Sequence, residues 1–262
     1  MHTKDPTLHV NIPFSMLYES YLDRFIHYGL NPEIGFDADA LDRYAVSEIQ
    51  PVAEKLQHSG LTVTLHGPFM DLSPGSPDPE IRSIARHRFE QLLKIVPIFK
   101  PRTVVCHTGY DHRRYWPMWD TWIENSRLIW TWLAGHVRDA GAILVLENVY
   151  EETPRELEEL LSSLTEQGVG FCLDTGHQAV FSSTPINKWV ETLGSFLTQL
   201  HLHDNTGKQD DHLALGTGTI DFKMLFRQLK SLQKPPCIIT LEPHREAALW
   251  PSLSYIEALW PW

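Results

Sequence analysis

Residues 142–174 read AILVLENVYEETPRELEELLSSLTEQGVGFCLD. The run Ala142 to Asn148 is short, continuous and apolar, the pattern of a strand buried on both faces. Thr153-Pro154 followed by Glu156 is a helix start, with an N-cap and a proline in the first turn. Leu157, Leu160, Leu161 and Leu164 recur on one helical face, and Gly168 stands where the helix must stop. Val169 to Asp174 is a second buried run. Strand, amphipathic helix, strand is the crossover unit of a parallel sheet.

The unit repeats in both directions. Apolar runs occur at Leu8 to Ile12, Pro32 to Phe36, Leu61 to His66, Thr103 to His107, Leu197 to His203 and Cys237 to Glu242, making eight candidate strands in 262 residues. Ile81, Ile84, Ala85, Phe89, Leu92, Leu93 and Val96 mark another apolar helix face, as do Phe222, Leu225, Phe226, Leu229 and Leu232. Gly141 is a further helix stop, and Pro51 should kink or split its helix. Strict alternation leaves an open doubly wound sheet or a closed (β/α)8 barrel, and eight units at this length match the barrel. The expectation is an α/β chain forming a single domain over residues 1–262.

Composition narrows the partners. With 22 Lys and Arg against 33 Asp and Glu, the net charge is −11, which disfavours nucleic acid and anionic membrane. The densest basic clusters, Arg113-Arg114 and Arg86-x-Arg88, form no stripe. The start at Met1 lacks an apolar leader and no apolar run approaches the roughly 18 residues of a membrane helix, so a cytoplasmic protein is expected. Cys106, Cys172 and Cys237 each fall in an apolar run and read as buried, unpaired thiols.

The barrel reading directs attention to the strand ends, because catalytic residues gather at the C-terminal face. The third run ends in His66, the fourth in His107 and the fifth in Glu147. The sixth ends in Asp174, followed by His177; the seventh carries His201, His203 and Asp204; the eighth ends in Glu242. Buried acids and imidazoles at one end of a barrel need a cation to satisfy them. Mixed nitrogen and carboxylate donors suit zinc, manganese, cobalt or iron better than calcium or magnesium. In the loop after the seventh run, Asp210 and His212 add a carboxylate and an imidazole, and Gly216 and Gly218 permit close backbone approach.

Leu65-His66-Gly67-Pro68, Leu146-Glu147-Asn148, Leu173-Asp174-Thr175-Gly176-His177, Leu200-His201-Leu202-His203-Asp204, and Asp210-Asp211-His212 with Gly216-x-Gly218-x-Ile220-Asp221 occur in that order. Together they resemble the xylose-isomerase-like (β/α)8 barrels. That superfamily includes sugar phosphate isomerases and epimerases and the zinc-dependent abasic-site endonucleases of the endonuclease IV type. The sugar branch implies one divalent ion on Glu147, Asp174, His201 and Glu242. The endonuclease branch implies three zinc ions, with His66, His107, His177, Asp210 and His212 completing the ligands. The segment from Asn31 to Asp37 resembles the strand-two acid motif of the sugar isomerases, which implies that Glu33 meets substrate hydroxyls at the barrel mouth.

The leading functional expectation is a divalent-metal-dependent sugar or sugar phosphate isomerase or epimerase, using zinc, manganese or cobalt. Glu147 and Glu242 would remove and return a proton next to a carbonyl, through an enediolate. His177 would orient a substrate oxygen and Lys208 would meet a phosphate or hydroxyl. The alternatives are a multinuclear-zinc phosphoesterase of the endonuclease IV type and a sugar-binding module without catalysis. The aromatic segment Tyr115, Trp116, Trp119, Trp122, Trp130 and Trp132 reads as helix core packing. Its sharper readings are a sugar-stacking platform at Trp116 or Trp119, or the interface of a homo-oligomer. The tail Trp260-Pro261-Trp262 would dock on the barrel or on a neighbour.

Overall fold

The structure, a computed structural model, describes residues 8–232 and 237–259. The Trp260 to Trp262 tail and the start from Met1 to Pro6 lie outside those residues. Eight strands, β1 (Leu8–Pro13), β2 (Asn31–Gly35), β3 (Thr64–His66), β4 (Thr103–His107), β5 (Ile143–Glu147), β6 (Gly170–Asp174), β7 (Leu197–Leu202) and β8 (Ile238–Leu241), pair in sequence order and close into a barrel. Every pairing is parallel, including β1 with β8. Helices cover the outside, and no helix among the described residues is long and apolar enough to cross a membrane.

Side chains alternate across each strand, so one strand serves two environments. On β7, Leu200 and Leu202 join the apolar layer under the helices, while Gln199 and His201 enter the barrel lumen and His203 continues that face just past the strand end. The lumen holds a small apolar group of Val105, Val145 and Cys172. Beside it, Gln199 bonds to Thr103, Thr240 and Glu33, and Glu33 also accepts from Thr64. Above these layers the inward series of β3 to β6 end in His66, His107, Glu147 and Asp174, and that of β8 leads to Glu242.

The helices differ from expectation in two places. The helix Val46–His58 runs through Pro51 unbroken; the chain instead breaks at Tyr44 and Ala45, both extended. The carbonyl that Pro51 leaves without its helical donor belongs to Ser47, an exposed residue. In the helix Pro79–Phe99, Ile84 is 56% exposed and Ile81 faces the cavity described below, so the core face starts only at Ala85. Cys106, Cys172 and Cys237 are buried, and none forms a disulfide with a described residue.

Leu160 is fully buried on the helix Pro154–Ser163, whereas Leu128 is 69% exposed. Leu160→Ala is expected to lower unfolding stability by about 2–5 kcal/mol, and Leu128→Ala to change it by less than about 0.5 kcal/mol. Urea denaturation of the two variants measures the contrast.

Candidate active site

Glu147 occupies the centre of the mouth. Its carboxylate lies 3.2 Å from His66 Nε2, 3.6 Å from His107 Nε2, 3.1 Å from His177 Nδ1 and 3.2 Å from His201 Nδ1. Register explains the gathering: His107 pairs with Glu147 and Asp174 pairs with His201 on adjacent strands. Glu242, one residue past β8, places Oε1 3.0 Å from His201 Nδ1. A second group adjoins the first. Asp210 Oδ2 is 3.2 Å from His212 Nε2 and 3.5 Å from His177 Nε2, and its Oδ1 is 3.6 Å from His203 Nε2.

Donors this close invite a test of whether they fit a cation. His201 Nδ1 is buried within 3.2 Å of two carboxylates yet is aligned for a hydrogen bond with neither; the three atoms face one point between them. Asp174 Oδ2 and Asp210 Oδ1 are likewise buried without a hydrogen-bond partner. Hydrogen bonding would have aligned these atoms along donor axes, and a divalent ion requires the convergence seen instead. Ligand atoms of His66, His107 and Glu147, of Glu147, Asp174 and His177, and of His177, His203, Asp210 and His212 each lie within 4.8 Å of one another. The residues fit one ion, and they offer donors for more.

Burial would lower the pKa values of His66, His177, His201 and His212, but the neighbouring carboxylates outweigh it and raise them, so these imidazoles balance the buried acids, a role that a bound cation would take over. Burial drives the His107 imidazole down to about 3, leaving it neutral with a free lone pair. Burial would raise the Glu147 pKa, but the His201 charge and the His177 hydrogen bond outweigh it and hold the carboxylate well below its ordinary value.

A surrounding layer fixes the donors. His66 and His177 turn their Nδ1 atoms to the carbonyls of Gly67 (2.9 Å) and Asn148 (3.1 Å). The Asn148 side chain straps β5 to β6, donating to the Asp174 carbonyl and accepting its N–H. Asp204 accepts from the N–H groups of Gly216, Gly218 and Ile220, which anchors the loop carrying Asp210 and His212. A Cβ on Gly218 would lie 2.3 Å from Asp204 Oδ1, so the glycine permits this anchoring rather than an approach to the ligands. His212 itself has φ of 47°, a left-handed conformation held by that loop.

A cavity of about 1140 Å³ opens over the cluster, with Glu147, His177 and Glu242 on its wall. All nine residues predicted as ligands reach the cluster. Three predicted substrate contacts do not line the cavity. Glu33 is fully buried: it pairs in register with Thr64, one layer below the mouth, where Gly35 pairs with His66. There its Oε1 lies 2.9 Å from His201 Nε2, so it is placed to orient that imidazole and has no face on the cavity. Lys208 is exposed on the loop, and Trp116 is 60% exposed with its ring stacked on His112. Trp122 and Trp130 are core residues, in line with the core-packing expectation for the aromatic segment. Missed by the sequence reading were the approach of His203 and the position of Phe69, which lines the cavity with its ring stacked on His107 at 4.4 Å. The alternation from His201 was the available signal for His203.

Residues 32–259 match the family model described as xylose isomerase-like TIM barrel. The chain belongs to that family. A solved structure of a Thermus thermophilus protein, soaked with zinc chloride, superposes with a TM-score of 0.82 at 27% identity, covering 97% of each chain. An uncharacterized Methanocaldococcus jannaschii protein is 25% identical, covering 65% of this chain and 60% of its own. A D-psicose 3-epimerase of Ruminiclostridium cellulolyticum is 25% identical, covering 64% of this chain and 62% of its own. A Mycobacterium leprae protein named "Probable endonuclease 4" is 23% identical, covering 74% of this chain and 79% of its own. This chain thus spans about three fifths of the length of the Methanocaldococcus and epimerase relatives.

Outside the ligand cluster, Glu151 is buried, accepting from Thr108 Oγ1 and the Val149 N–H, and burial pushes its pKa up from 4.5 to about 7. The unfolded chain therefore releases this proton at lower pH than the folded one, and stability falls as pH rises from about 4.5 to about 7. Glu151→Gln keeps both contacts, with its NH2 turned to Thr108, and removes the loss. The variant is expected to exceed the parent by roughly 2–4 kcal/mol at pH 8 and to match it near pH 4.5. Urea midpoints across pH measure this, and parallel curves would refute it.

Proposed function

We propose that this chain is a divalent-metal-dependent isomerase or epimerase of a sugar or sugar phosphate. The observation that carries the reading is the pair Glu147 and Glu242: they arrive from β5 and β8, both line the cavity, and both place a carboxylate oxygen within 3.2 Å of His201 Nδ1. When bound on Glu147, Asp174, His201 and Glu242, a zinc, manganese or cobalt ion supplies a Lewis acid that stabilises negative charge on adjacent sugar oxygens.

The protein's own groups do the rest. One carboxylate takes the proton from the carbon between those oxygens, and the other returns it on the opposite face, which inverts the centre. Return by the same carboxylate to the neighbouring carbon, with the hydroxyl proton passing to the former carbonyl oxygen, exchanges aldose and ketose. His177, with Nδ1 turned to the Asn148 carbonyl, orients a substrate oxygen. The D-psicose 3-epimerase relative supports this reading, as does the net charge of −11, which suits a small substrate better than a DNA duplex.

A second reading rests on the convergence of His66, His107, His177, Asp210 and His212, and on the relative named as an endonuclease. Those donors would hold further zinc ions, giving a hydrolase of phosphoesters.

Exchange of a substrate C–H with deuterium in D2O, followed by NMR over aldoses and ketoses with each metal, tests the first reading. Exchange is expected with at least one sugar and is abolished by chelation; Glu242→Gln should reduce it by at least about 10²-fold. No exchange, together with cleavage of abasic-site DNA, would overturn it. His107→Ala separates the readings: the isomerase retains an ion and a rate within about tenfold of the parent, whereas a multinuclear hydrolase collapses. Elemental analysis of the same preparations reports the ions retained.

A further inference from the structure

The segment after β4 contains a side-chain group that the chemistry at Glu147 does not use. His112 lines the cavity, and its Nδ1 is 2.6 Å from Glu156 Oε1. Glu156 is only 7% exposed and is immobilised through its other oxygen, which accepts the Thr153 N–H at 3.1 Å. Tyr110 Oη lies 3.4 Å from the same Glu156 oxygen, and Trp116 stacks on the outer face of the His112 ring at 5.2 Å and 20°. A buried carboxylate, a hydroxyl and an indole thus lock one imidazole. Nε2 is left without a partner among the described residues, as the atom able to meet a ligand.

The next residue strengthens the case. The cavity wall is acidic, with Asp37, Asp71, Asp111 and Glu152 among its lining. Among the described lining residues the only lysine or arginine side chains are Arg113 and Arg114. Arg114 is engaged, with Nε 3.5 Å from Asp111 Oδ2, while Arg113 forms no ion pair with any described residue. In a chain of net charge −11, an uncommitted guanidinium beside a carboxylate-held imidazole is the place on this wall suited to an anion.

We infer that His112 and Arg113 form an anion subsite that binds the phosphate of a phosphorylated sugar whose reacting carbon sits at Glu147 and Glu242. The inference rests on the isomerase reading and narrows it to sugar phosphates. Arg113 supplies paired N–H donors to the phosphate oxygens, and His112 supplies one from Nε2. Glu156 and Trp116 are positioning residues that hold His112. This accounts for Trp116 without any contact between its ring and the sugar.

The test compares ketopentoses and ketohexoses with and without a terminal phosphate, on the metal-loaded protein, by the same C–H exchange. The phosphorylated member of a pair is expected to show at least a tenfold lower KM. Arg113→Ala should raise that KM by about 10- to 100-fold with kcat within about twofold, and leave the unphosphorylated sugar unchanged. Glu156→Gln should raise KM alone, by a smaller factor. Equal KM values for both members, or a rise for both in Arg113→Ala, overturns the subsite while the isomerase reading stands.

If no sugar exchanges, the isomerase reading fails, and calorimetric titration with inorganic phosphate still decides the subsite. Binding by the parent that weakens at least tenfold in Arg113→Ala supports it. No binding, or equal binding by both proteins, refutes it.

Discussion

The carboxylate of Glu147 sits at the mouth of the barrel with four imidazoles within 3.6 Å. Such a charge is tolerated in an apolar wall only if cations or hydrogen-bond donors meet it, and those donors come from four other elements. β3, β4 and β7 deliver His66, His107 and His201, and the first turn after β6 delivers His177. A slip of one residue toward the strand end would turn His66, His107 or His201 outward and put Leu65, Cys106 or Leu200 in the cluster. The electrostatic demand of one residue thus constrains the alignment of half the barrel.

The same demand explains the polar layer beneath. His201 needs one nitrogen facing Glu147 and Glu242, so its other nitrogen must be satisfied inside the lumen, and Glu33 does this. Glu33 is in turn held by Thr64, Gln199 and Thr240, and burial, which would raise its pKa, is outweighed by His201, leaving it at about 2. The loop that brings Asp210 and His212 is organised in the same manner by Asp204, an acid that binds backbone N–H groups and no other ligand. Acids in this molecule therefore serve two purposes, as donors to the cluster and as fixings for it, and residue type does not distinguish them.

That ambiguity set the limit of what the residues alone could show. The strand ends were legible because a buried parallel strand must be apolar, so a terminal His, Asp or Glu stands out against Leu146 or Leu173. Pro51 misled because local propensity was overridden by packing: Ile49, Val52, Ala53 and Leu56 bury one face of the helix on both sides of the proline. Glu33 misled because a strand motif does not reveal how far below the rim its residue lies. Lys208 and Trp116 misled because loop side chains carry no periodicity from which a direction can be read.

From the sequence by itself came the number and order of strands, and the nine side chains, expected as donors, that the structure brings together at one end of the barrel. These follow from period-two burial and from the cost of leaving a charge in an apolar run, both of which are local. Only the tertiary structure decided which acids touch the cluster and which brace it, that His203 joins Asp210, and that Glu156 holds His112 on the cavity wall. Those outcomes depend on strand stagger and loop path, which are settled by contacts between residues far apart in the chain.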